Sequence, residues 1–287
     1  MGARHKRVAI VTGGASGIGR ALCDQLAATG AHVVVADIDG PEGERAAETI
    51  RQRGEQAEAV AVDVADSAQV EKLVDDTIAR HGRLDFMFNN AGIAAVGELR
   101  DGNLDDFRRV VEVNLFGVVH GTMAAYRVML RQGFGHIVNV SSVTGLMPTP
   151  ILSAYSTTKW AILGFSQAVR VEAAGLGVKV SVACPGLVRT QIAERNAFWN
   201  VRKDEYLAWL PWQRWMLTPA QAARAILRGT ARNKEIIIFP FSASLGWRVY
   251  RLWPALFAPL LHRTLAGFRR LRLNEIAVHG ESTERDR

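Results

Sequence analysis

The chain contains little cysteine, in a pattern that suits neither disulfides nor metal. Cys23 and Cys184 are the two cysteines among 287 residues, and they stand far apart without the spacing of metal ligands. This excludes a disulfide framework and a cysteine-based zinc site. We expect a reducing compartment, the cytoplasm, and no bound metal.

Long hydrophobic runs and export signals are also missing. A bilayer-spanning helix needs ~20 apolar residues, whereas the apolar stretch 252–261 is only half that long and carries Pro254 and Pro259. The apolar run 8–11 near the N-terminus is too short for a signal-peptide core. We therefore predict neither a membrane-spanning helix nor export.

Acidic residues are absent from one strongly basic region. The formal net charge is +7, and residues 247–273 contain Arg248, Arg251, Arg263, Arg269, Arg270 and Arg272 with no Asp or Glu. The composition is otherwise that of a folded protein, with 48% hydrophobic and 22% charged residues. Because no nucleic-acid-binding motif or disordered basic arm accompanies the arginines, we predict no nucleic-acid partner.

Apolar, strand-like runs alternate with amphipathic, helix-like segments along most of the chain. The predicted strands are 8–11, 33–36, 60–62, 86–88, 137–140, 178–183 and 236–239. The predicted helices are 17–28, 41–53, 67–81, 104–131, 154–174 and 219–229. This alternation predicts an α/β protein with a Rossmann-type, doubly wound parallel sheet of about seven strands and helices on both faces. We assign 1–240 to this domain and 241–287 to a helical C-terminal extension.

A glycine-rich turn follows the first predicted strand and opens the first predicted helix. Gly13, Gly17 and Gly19 lie in the run 12–19, a setting in which backbone N–H groups at a helix N-terminus bind a pyrophosphate. Asp37 closes the second strand, where a carboxylate accepts hydrogen bonds from ribose hydroxyls and repels a 2′-phosphate. The pattern favours NAD over NADP.

A tyrosine and a lysine stand four residues apart downstream of this turn. In a helix Tyr155 and Lys159 share one face, and a nearby ammonium lowers the pKa of a phenol and makes it a better proton acceptor. Ser142 precedes the tyrosine by thirteen residues. The three residues together predict a hydride-transfer enzyme.

These motifs resemble those of the short-chain dehydrogenase/reductase family over residues 7–239. The further landmarks are Asp63-Val64, Asn89 to Gly92, Asn114, Ser141-Ser142, and Pro185-Gly186 followed by Thr190. The resemblance implies the catalytic residues Ser142, Tyr155, Lys159 and Asn114. It also implies an NAD site formed by Gly13, Ser16, Gly17, Ile18, Gly19, Asp37, Ile38, Asp63, Val64, Asn90, Ala91, Gly92, Tyr155, Lys159, Pro185, Gly186, Val188 and Thr190.

The resemblance also implies a mechanism. Tyr155 would exchange the proton of a secondary alcohol or ketone, Ser142 would bind its oxygen, and Lys159 would hold the nicotinamide ribose and lower the pKa of Tyr155. Asn114 would support a water chain, although a buried polar residue that satisfies helix backbone is an equal alternative. A homo-oligomer, dimer or tetramer, is expected.

The segment 187–217 is rich in large aromatic residues. Phe198, Trp199, Tyr206, Trp209, Trp212 and Trp215 all fall within it. These side chains predict a roof over a pocket for a lipophilic alcohol or ketone of steroid, retinoid or long-chain type. Packing in the core or against another subunit is the alternative.

The basic segment 245–273 interleaves arginines with Leu, Trp, Tyr and Phe, a pattern typical of an amphipathic helix. Such a helix can lie in the membrane interface with its arginines near anionic headgroups. Packing over the cleft or on a partner subunit is the alternative.

Two other functions are compatible with parts of the sequence. A nucleotide-binding scaffold without chemistry would not require Ser142, Tyr155 and Lys159 together. An NADP-dependent reductase of ketones or acyl chains is disfavoured by Asp37.

Overall fold

The structure is a computed structural model that describes residues 6–190, 196–210 and 216–273. Its main sheet contains seven parallel strands in the order β3-β2-β1-β4-β6-β7-β9. Those strands are β1 Val8–Thr12, β2 His32–Asp37, β3 Gln56–Ala61, β4 Phe86–Asn89, β6 Gly135–Val140, β7 Val178–Pro185 and β9 Ile236–Phe239. A separate two-stranded sheet pairs β5, Ala95–Val96, with β8, Ala197–Phe198. The predicted parallel sheet is confirmed.

The helices lie between these strands. They are α1 Gly17–Ala28, α2 Gly40–Gln52, α3 Ser67–His81, α4 Leu104–Val111, α5 Gly117–Gln132, α6 Ser153–Glu172, α7 Lys203–Trp209 and α8 Pro219–Ala231. Local sequence signals start several of them: the Asp39 and Asp66 side chains cap α2 and α3, and Thr218 with Gln221 forms a capping box for α8.

Helices cover both faces of the sheet, as predicted. On one face Val33 and Val35 of β2 pack with α1, α2 and α8. On the other face Val34 of the same strand packs with α3 and α5. Because successive residues of a strand point to opposite faces, a strand buried on both sides is continuously apolar. The sheet is therefore the centre of the molecule, and its carboxyl edge is free to carry loops.

The predicted helix 104–131 is two helices in the structure. A π-helical turn, Glu112–Phe116, separates α4 from α5 and contains Asn114. The apolar pattern of the sequence continues across this turn, because a π turn adds one residue without removing the apolar face of the helix. Such single turns are common at functional sites.

The C-terminal extension is helical, but it is not one helix. After β9 the chain forms α9, Phe241–Leu252, a short 3₁₀ turn, Pro254–Leu256, and α10, Ala258–Arg269. Pro254 cannot donate a helical hydrogen bond and ends α9, while Pro259 is tolerated in the first turn of α10. Across the described ranges, every helix is too short or too polar to cross a bilayer.

Candidate functional site

The glycine turn between β1 and α1 brings the backbone close to the strand beside it. Gly13 and Gly17 have φ values of +64° and +54°, which favour glycine. A Cβ atom on Gly13 would lie 2.9 Å from Cα of Ala91. Side chains are thus excluded where the turn meets the start of α1, and the exposed backbone there fits the pyrophosphate of a dinucleotide.

Asp37 ends β2 beside this turn and is 4% exposed. Its Oδ2 accepts a hydrogen bond from the Ala15 N–H at 3.0 Å, and its Oδ1 accepts one from the Asp39 N–H at 3.0 Å. These two bonds fix the carboxylate at the cleft, where a carboxylate oxygen can accept more than one hydrogen bond. The placement fits a ribose diol.

The ends of β1 and β4 are joined under the cleft. Thr12 Oγ1 accepts hydrogen bonds from the N–H groups of Asn90 at 2.9 Å and Ala91 at 3.1 Å, and Asn90 Nδ2 donates to the Thr12 carbonyl at 2.9 Å. The Asn90 side chain therefore serves the scaffold, and the backbone from Ala91 to Gly92 faces the cleft.

Asp63 follows β3 and forms an ion pair with Arg109 of α4, with Oδ2 and Nη2 separated by 3.2 Å. Arg109 also lines the cleft, although no sequence motif predicts it there. Nothing in its helical surroundings marks it, since Arg108 beside it is equally basic. Only the packing of α4 beside β3 reveals its position.

Ser142, Tyr155 and Lys159 meet where β6 ends and α6 begins. The Ser142 side chain lies near the Tyr155 phenol and favours its ionised form, and Lys159 Nζ lies 5.2 Å from the centroid of the tyrosine ring. Lys159 Nζ also donates to the Val140 carbonyl at 2.9 Å. The neighbouring Ser141 instead donates to the Lys159 carbonyl at 2.7 Å, so it acts in the scaffold and does not compete with Ser142.

The expected direction of the tyrosine's pKa shift was wrong for this structure. Burial raises the pKa of Tyr155 to about 12, partly offset by the hydrogen bond with Ser142. Burial likewise lowers the pKa of Lys159 to about 8. Helical spacing predicted the proximity of the two groups, but burial of each charged form is the largest cause of both pKa shifts.

Asn114 does not face the cleft directly. Its Oδ1 accepts from the Ile93 N–H at 2.8 Å, and its Nδ2 donates to the Ile93 carbonyl at 2.8 Å and to Thr158 Oγ1 at 3.2 Å. The side chain is fully buried. It therefore connects the π turn to the loop that follows β4, beside Gly92, and to the helix that carries Tyr155.

Comparison with known proteins identifies this arrangement. The profile of the short chain dehydrogenase family matches residues 7–200. The chain belongs to the short-chain dehydrogenase family. The expected family and fold are thus confirmed, and the protein is an oxidoreductase of that family.

Three similar proteins illustrate the relationship. An L-2,3-butanediol dehydrogenase of Corynebacterium glutamicum is 40% identical over 193 residues, 66% of this chain and 74% of its own. A 3-oxoacyl-[acyl-carrier-protein] reductase of Synechocystis is 37% identical over 217 residues, 75% of this chain and 85% of its own. The crystal structure of a short-chain dehydrogenase/reductase from Burkholderia phymatum in complex with NAD has a TM-score of 0.80 and 30% identity, covering 89% of this chain and 96% of its own.

Most residues predicted to bind the cofactor line one cleft of this short-chain dehydrogenase. They are Gly13, Ser16, Gly17, Ile18, Asp37, Ile38, Asp63, Val64, Asn90, Ala91, Gly92, Tyr155, Lys159, Pro185 and Thr190. Gly19, Gly186 and Val188 lie behind its surface: a side chain on Gly19 would overlap the Gly13 carbonyl, the Gly186 N–H donates to Phe239, and Val188 bridges to Leu217. Val140, Ile93 and Val113 join the lining without having been predicted.

The aromatic residues of segment 187–217 pack mainly against the C-terminal extension of the dehydrogenase. Tyr206 and Trp209 surround Phe268 of α10 with ring centroids 6.1–6.4 Å apart, and Phe268 is fully buried. Trp199 is buried against Gly97 and Gly102, and its Nε1 donates to Asp106 at 2.8 Å. The alternative of core packing thus describes these residues, while Trp212 and Trp215 lie outside the described residues.

Proposed function

We propose that this short-chain dehydrogenase transfers a hydride between NAD(H) and a secondary alcohol or ketone. The observation that supports this most directly is that Tyr155 lies close to Lys159 and Ser142, and that Tyr155 and Lys159 line the cleft that also contains Asp37 and the glycine turn. A proton-transfer group and a dinucleotide cradle in one cleft are the two requirements of that reaction.

The proposed roles of the residues follow from their contacts. The nicotinamide, when bound, supplies the hydride acceptor or donor. Ser142 hydrogen-bonds the substrate oxygen, and Tyr155 gives that oxygen a proton during reduction or removes one during oxidation. Lys159, held by Val140, orients the ribose, and its charge favours the phenolate during oxidation. Asn114 acts as a positioning residue through Ile93.

The proposed cofactor is NAD, because the Asp37 carboxylate is fixed at the end of β2 by two backbone N–H groups. Replacing a ribose hydroxyl by a phosphate there would place two anions together in a partly desolvated site. In the same proposal Gly13, Ser16, Gly17, Ile18 and Gly19 form the pyrophosphate turn. Ile38, Asp63, Val64, Asn90, Ala91 and Gly92 surround the adenosine, and Pro185, Gly186, Val188 and Thr190 adjoin the nicotinamide.

We propose a lipophilic substrate of steroid, retinoid or long-chain type. The support is the apolar cluster that continues from the start of α6 towards the extension and joins Ile151, Leu152, Val96 and Tyr206 to Phe268. Ile151 and Leu152 stand only a few residues before Tyr155. The names of two relatives specify a diol and a 3-oxoacyl carrier substrate, which share the secondary oxygenated carbon.

We also propose that the extension touches a membrane surface. Leu252, Trp253 and Leu256 are 67%, 58% and 66% exposed at the turn between α9 and α10. Arg251 in the same turn region is exposed as well. Exposed apolar groups beside cations suit an interface with anionic lipid, and contact there would shorten the path of a lipophilic substrate.

We further propose that the protein is cytoplasmic and that it forms a homo-oligomer, either a dimer or a tetramer. Both cysteines are free and buried, which suits a reducing compartment. Phe116, Met123 and Trp160 are 48%, 48% and 45% exposed on or beside α5 and α6. Large apolar side chains exposed on α5, on α6 and in the turn before α5 support association with a second copy.

The proposed reaction is tested by following NADH absorbance while the purified protein is supplied with NAD and a panel of secondary alcohols. We expect turnover that is higher with lipophilic alcohols than with small polar ones. Absence of turnover with every alcohol, and with the matching ketones and NADH, would support the scaffold function. A preference for small polar alcohols would reject only the substrate class.

A further inference from the structure

Three side chains of types that bind metals lie close together at the amino-terminal edge of the sheet, whereas the cleft lies at its carboxyl edge. His32 begins β2, Glu58 lies in β3, and His81 is the last residue of α3. One potential ligand atom from each lies within 4.8 Å of the other two. The amino ends of β2 and β3 and the C-terminus of α3 are therefore joined by a His-Glu-His group that the proposed reaction does not use.

Contacts among these three side chains leave one of them without a hydrogen bond. His81 Nε2 lies 2.9 Å from Glu58 Oε1, whereas His32 Nε2 lies 3.7 Å from the same oxygen. His32 Nε2 is buried and has no hydrogen-bond partner among the described residues. Leaving a buried polar atom unpaired is unfavourable, and a metal ion at this point would use its lone pair.

The surroundings orient the three ligands. Arg80 Nε lies 3.3 Å from Oε2 of Glu58 and so leaves Oε1 facing the histidines. The imidazole rings of His32 and His81 are 4.1 Å apart, and Gln56 lies beside the ring of His32. Outer contacts of this kind fix ligand orientation in metal sites.

We propose that His32, Glu58 and His81 bind one Zn²⁺ ion. Two imidazoles and one carboxylate are a ligand set that zinc accepts, with water in the fourth position. Tetrahedral ligands about 2.0–2.1 Å from zinc lie roughly 3.3 Å from one another, so His32 must move slightly closer to Glu58, while His81 and Glu58 must separate slightly. Each of the three is only partly buried, and small side-chain rotations allow this.

The ion would stabilise the edge of the sheet. Among the strands that the structure describes, β3 is at the edge of the sheet and pairs with β2 alone. Both strands lead to residues of the proposed adenosine site, Asp37 and Asp63. A metal that ties β3 to β2 and α3 would oppose separation of that edge, as any ligand that binds only the folded state does. The arginine at Glu58 and the single carboxylate limit the affinity, because they leave little negative charge for a dication.

The test uses the full chain, stripped with a chelator and then titrated with Zn²⁺ and Co²⁺. We expect one ion per chain, a tetrahedral Co²⁺ absorption spectrum, and a higher thermal midpoint with zinc. His81→Asn and Glu58→Gln should each weaken binding at least tenfold. His262→Asn, which changes an exposed histidine of α10, serves as the matched control and should bind normally.

Each outcome decides the proposal. Equal zinc affinity in wild type, His81→Asn and Glu58→Gln would show adventitious binding and overturn it, as would the absence of any bound ion at a stoichiometry of one. Circular dichroism of each variant without metal shows whether the fold persists, and Glu58→Gln supplies a second variant if His81→Asn unfolds. Activity with NAD is not the readout, so failure of the enzyme proposal does not affect this result.

Discussion

Arg272, which follows α10 in the extension, donates two hydrogen bonds to Asp101. Its Nε lies 3.0 Å from Oδ2 and its Nη2 lies 2.8 Å from Oδ1, and the two side chains are only 9% and 2% exposed. The pair joins residues 171 positions apart. It fastens the extension to the turn that follows Gly97, next to the aromatic residues that surround Phe268.

Replacing Arg272 by Gln should destabilise the protein more than replacing Arg269 by Gln. Arg269 also makes two hydrogen bonds, to Glu98, but its side chain is 51% exposed, so water compensates for its loss. Removing the guanidinium from Asp101 leaves a buried carboxylate without its cation, which typically costs about 1–3 kcal/mol. Urea unfolding of both variants measures the difference, and equal midpoints would contradict this reading.

The same pair predicts how stability depends on acid. Burial alone would raise the pKa of Asp101, but the hydrogen bonds from Arg272 and Asn200 outweigh it and hold the pKa below its ordinary value of 3.8. A depressed carboxyl pKa contributes stability above the unfolded pKa, and this contribution disappears as the pH falls through the folded pKa. The difference in unfolding midpoint between wild type and Asp101→Asn should therefore be constant near neutrality and shrink below pH 3.8.

Much of this organisation could be predicted from local sequence. α1 and α3 have the predicted limits, because the glycine turn fixes the start of one and the Asp66 cap fixes the start of the other. β3 begins earlier than predicted, at Gln56, since an edge strand does not need a continuous apolar run. The cleft residues followed from motifs that fall at the ends of strands.

The remainder depends on contacts between distant parts of the chain. The ion pair between Arg272 and Asp101 joins two segments in which no sequence pattern indicates a contact. Arg109 reaches the cleft only because α4 packs beside β3. The pKa of Tyr155 rises through burial, which spacing within one helix does not reveal. Local periodicity also could not show that Asn114 would sit in a π turn.

Replacing Tyr155 by Phe should lower turnover by about 10²–10⁴-fold, the usual contribution of a general acid–base group. The substitution removes only the phenol hydroxyl, which lies near Ser142, so the affinity for NAD should change little. Ser141→Ala is the matched control, because Ser141 donates to the Lys159 carbonyl and not to the tyrosine. Wild-type turnover in Tyr155→Phe would reject the assignment.

The two directions of the reaction should respond differently to pH. With its pKa raised to about 12, Tyr155 is protonated at neutral pH and ready to donate. The rate of reduction should therefore change little between roughly pH 6 and pH 8. The rate of oxidation should increase as the pH rises, because more phenolate forms. Initial rates in both directions, measured at constant ionic strength, test this. Oxidation that slows with rising alkalinity would be inconsistent with a tyrosine base.

Asp37→Asn should narrow the preference for NAD over NADP. The amide keeps one of the two oxygens that accept from the N–H groups of Ala15 and Asp39, replaces the other with an NH₂ group, and removes the negative charge that would repel a 2′-phosphate. We expect the ratio of the two dissociation constants to change about tenfold, equivalent to 1.4 kcal/mol. Fluorescence titration with each cofactor measures it. Asp39→Asn, which alters the neighbouring carboxylate, is the control, and an unchanged ratio in Asp37→Asn would remove the basis for proposing NAD.

Contact between the extension and a membrane can be tested by point substitution. Deleting the whole extension would also remove Phe268 and the ion pair between Arg272 and Asp101. Loss of vesicle binding could then reflect a damaged fold. Trp253→Ser combined with Leu256→Ser changes only side chains that are 58% and 66% exposed. Val171→Ser, at a 76% exposed position of α6, is the matched control.

In sedimentation with vesicles containing phosphatidylserine, wild type and Val171→Ser should bind equally, and the double variant should bind at least tenfold more weakly. Arg251→Gln should weaken binding to anionic but not to neutral vesicles, and added salt should have the same effect because it screens the arginines. If the double variant sediments like wild type, the exposed turn is not a lipid contact, and the exposed apolar side chains are better explained by association between chains.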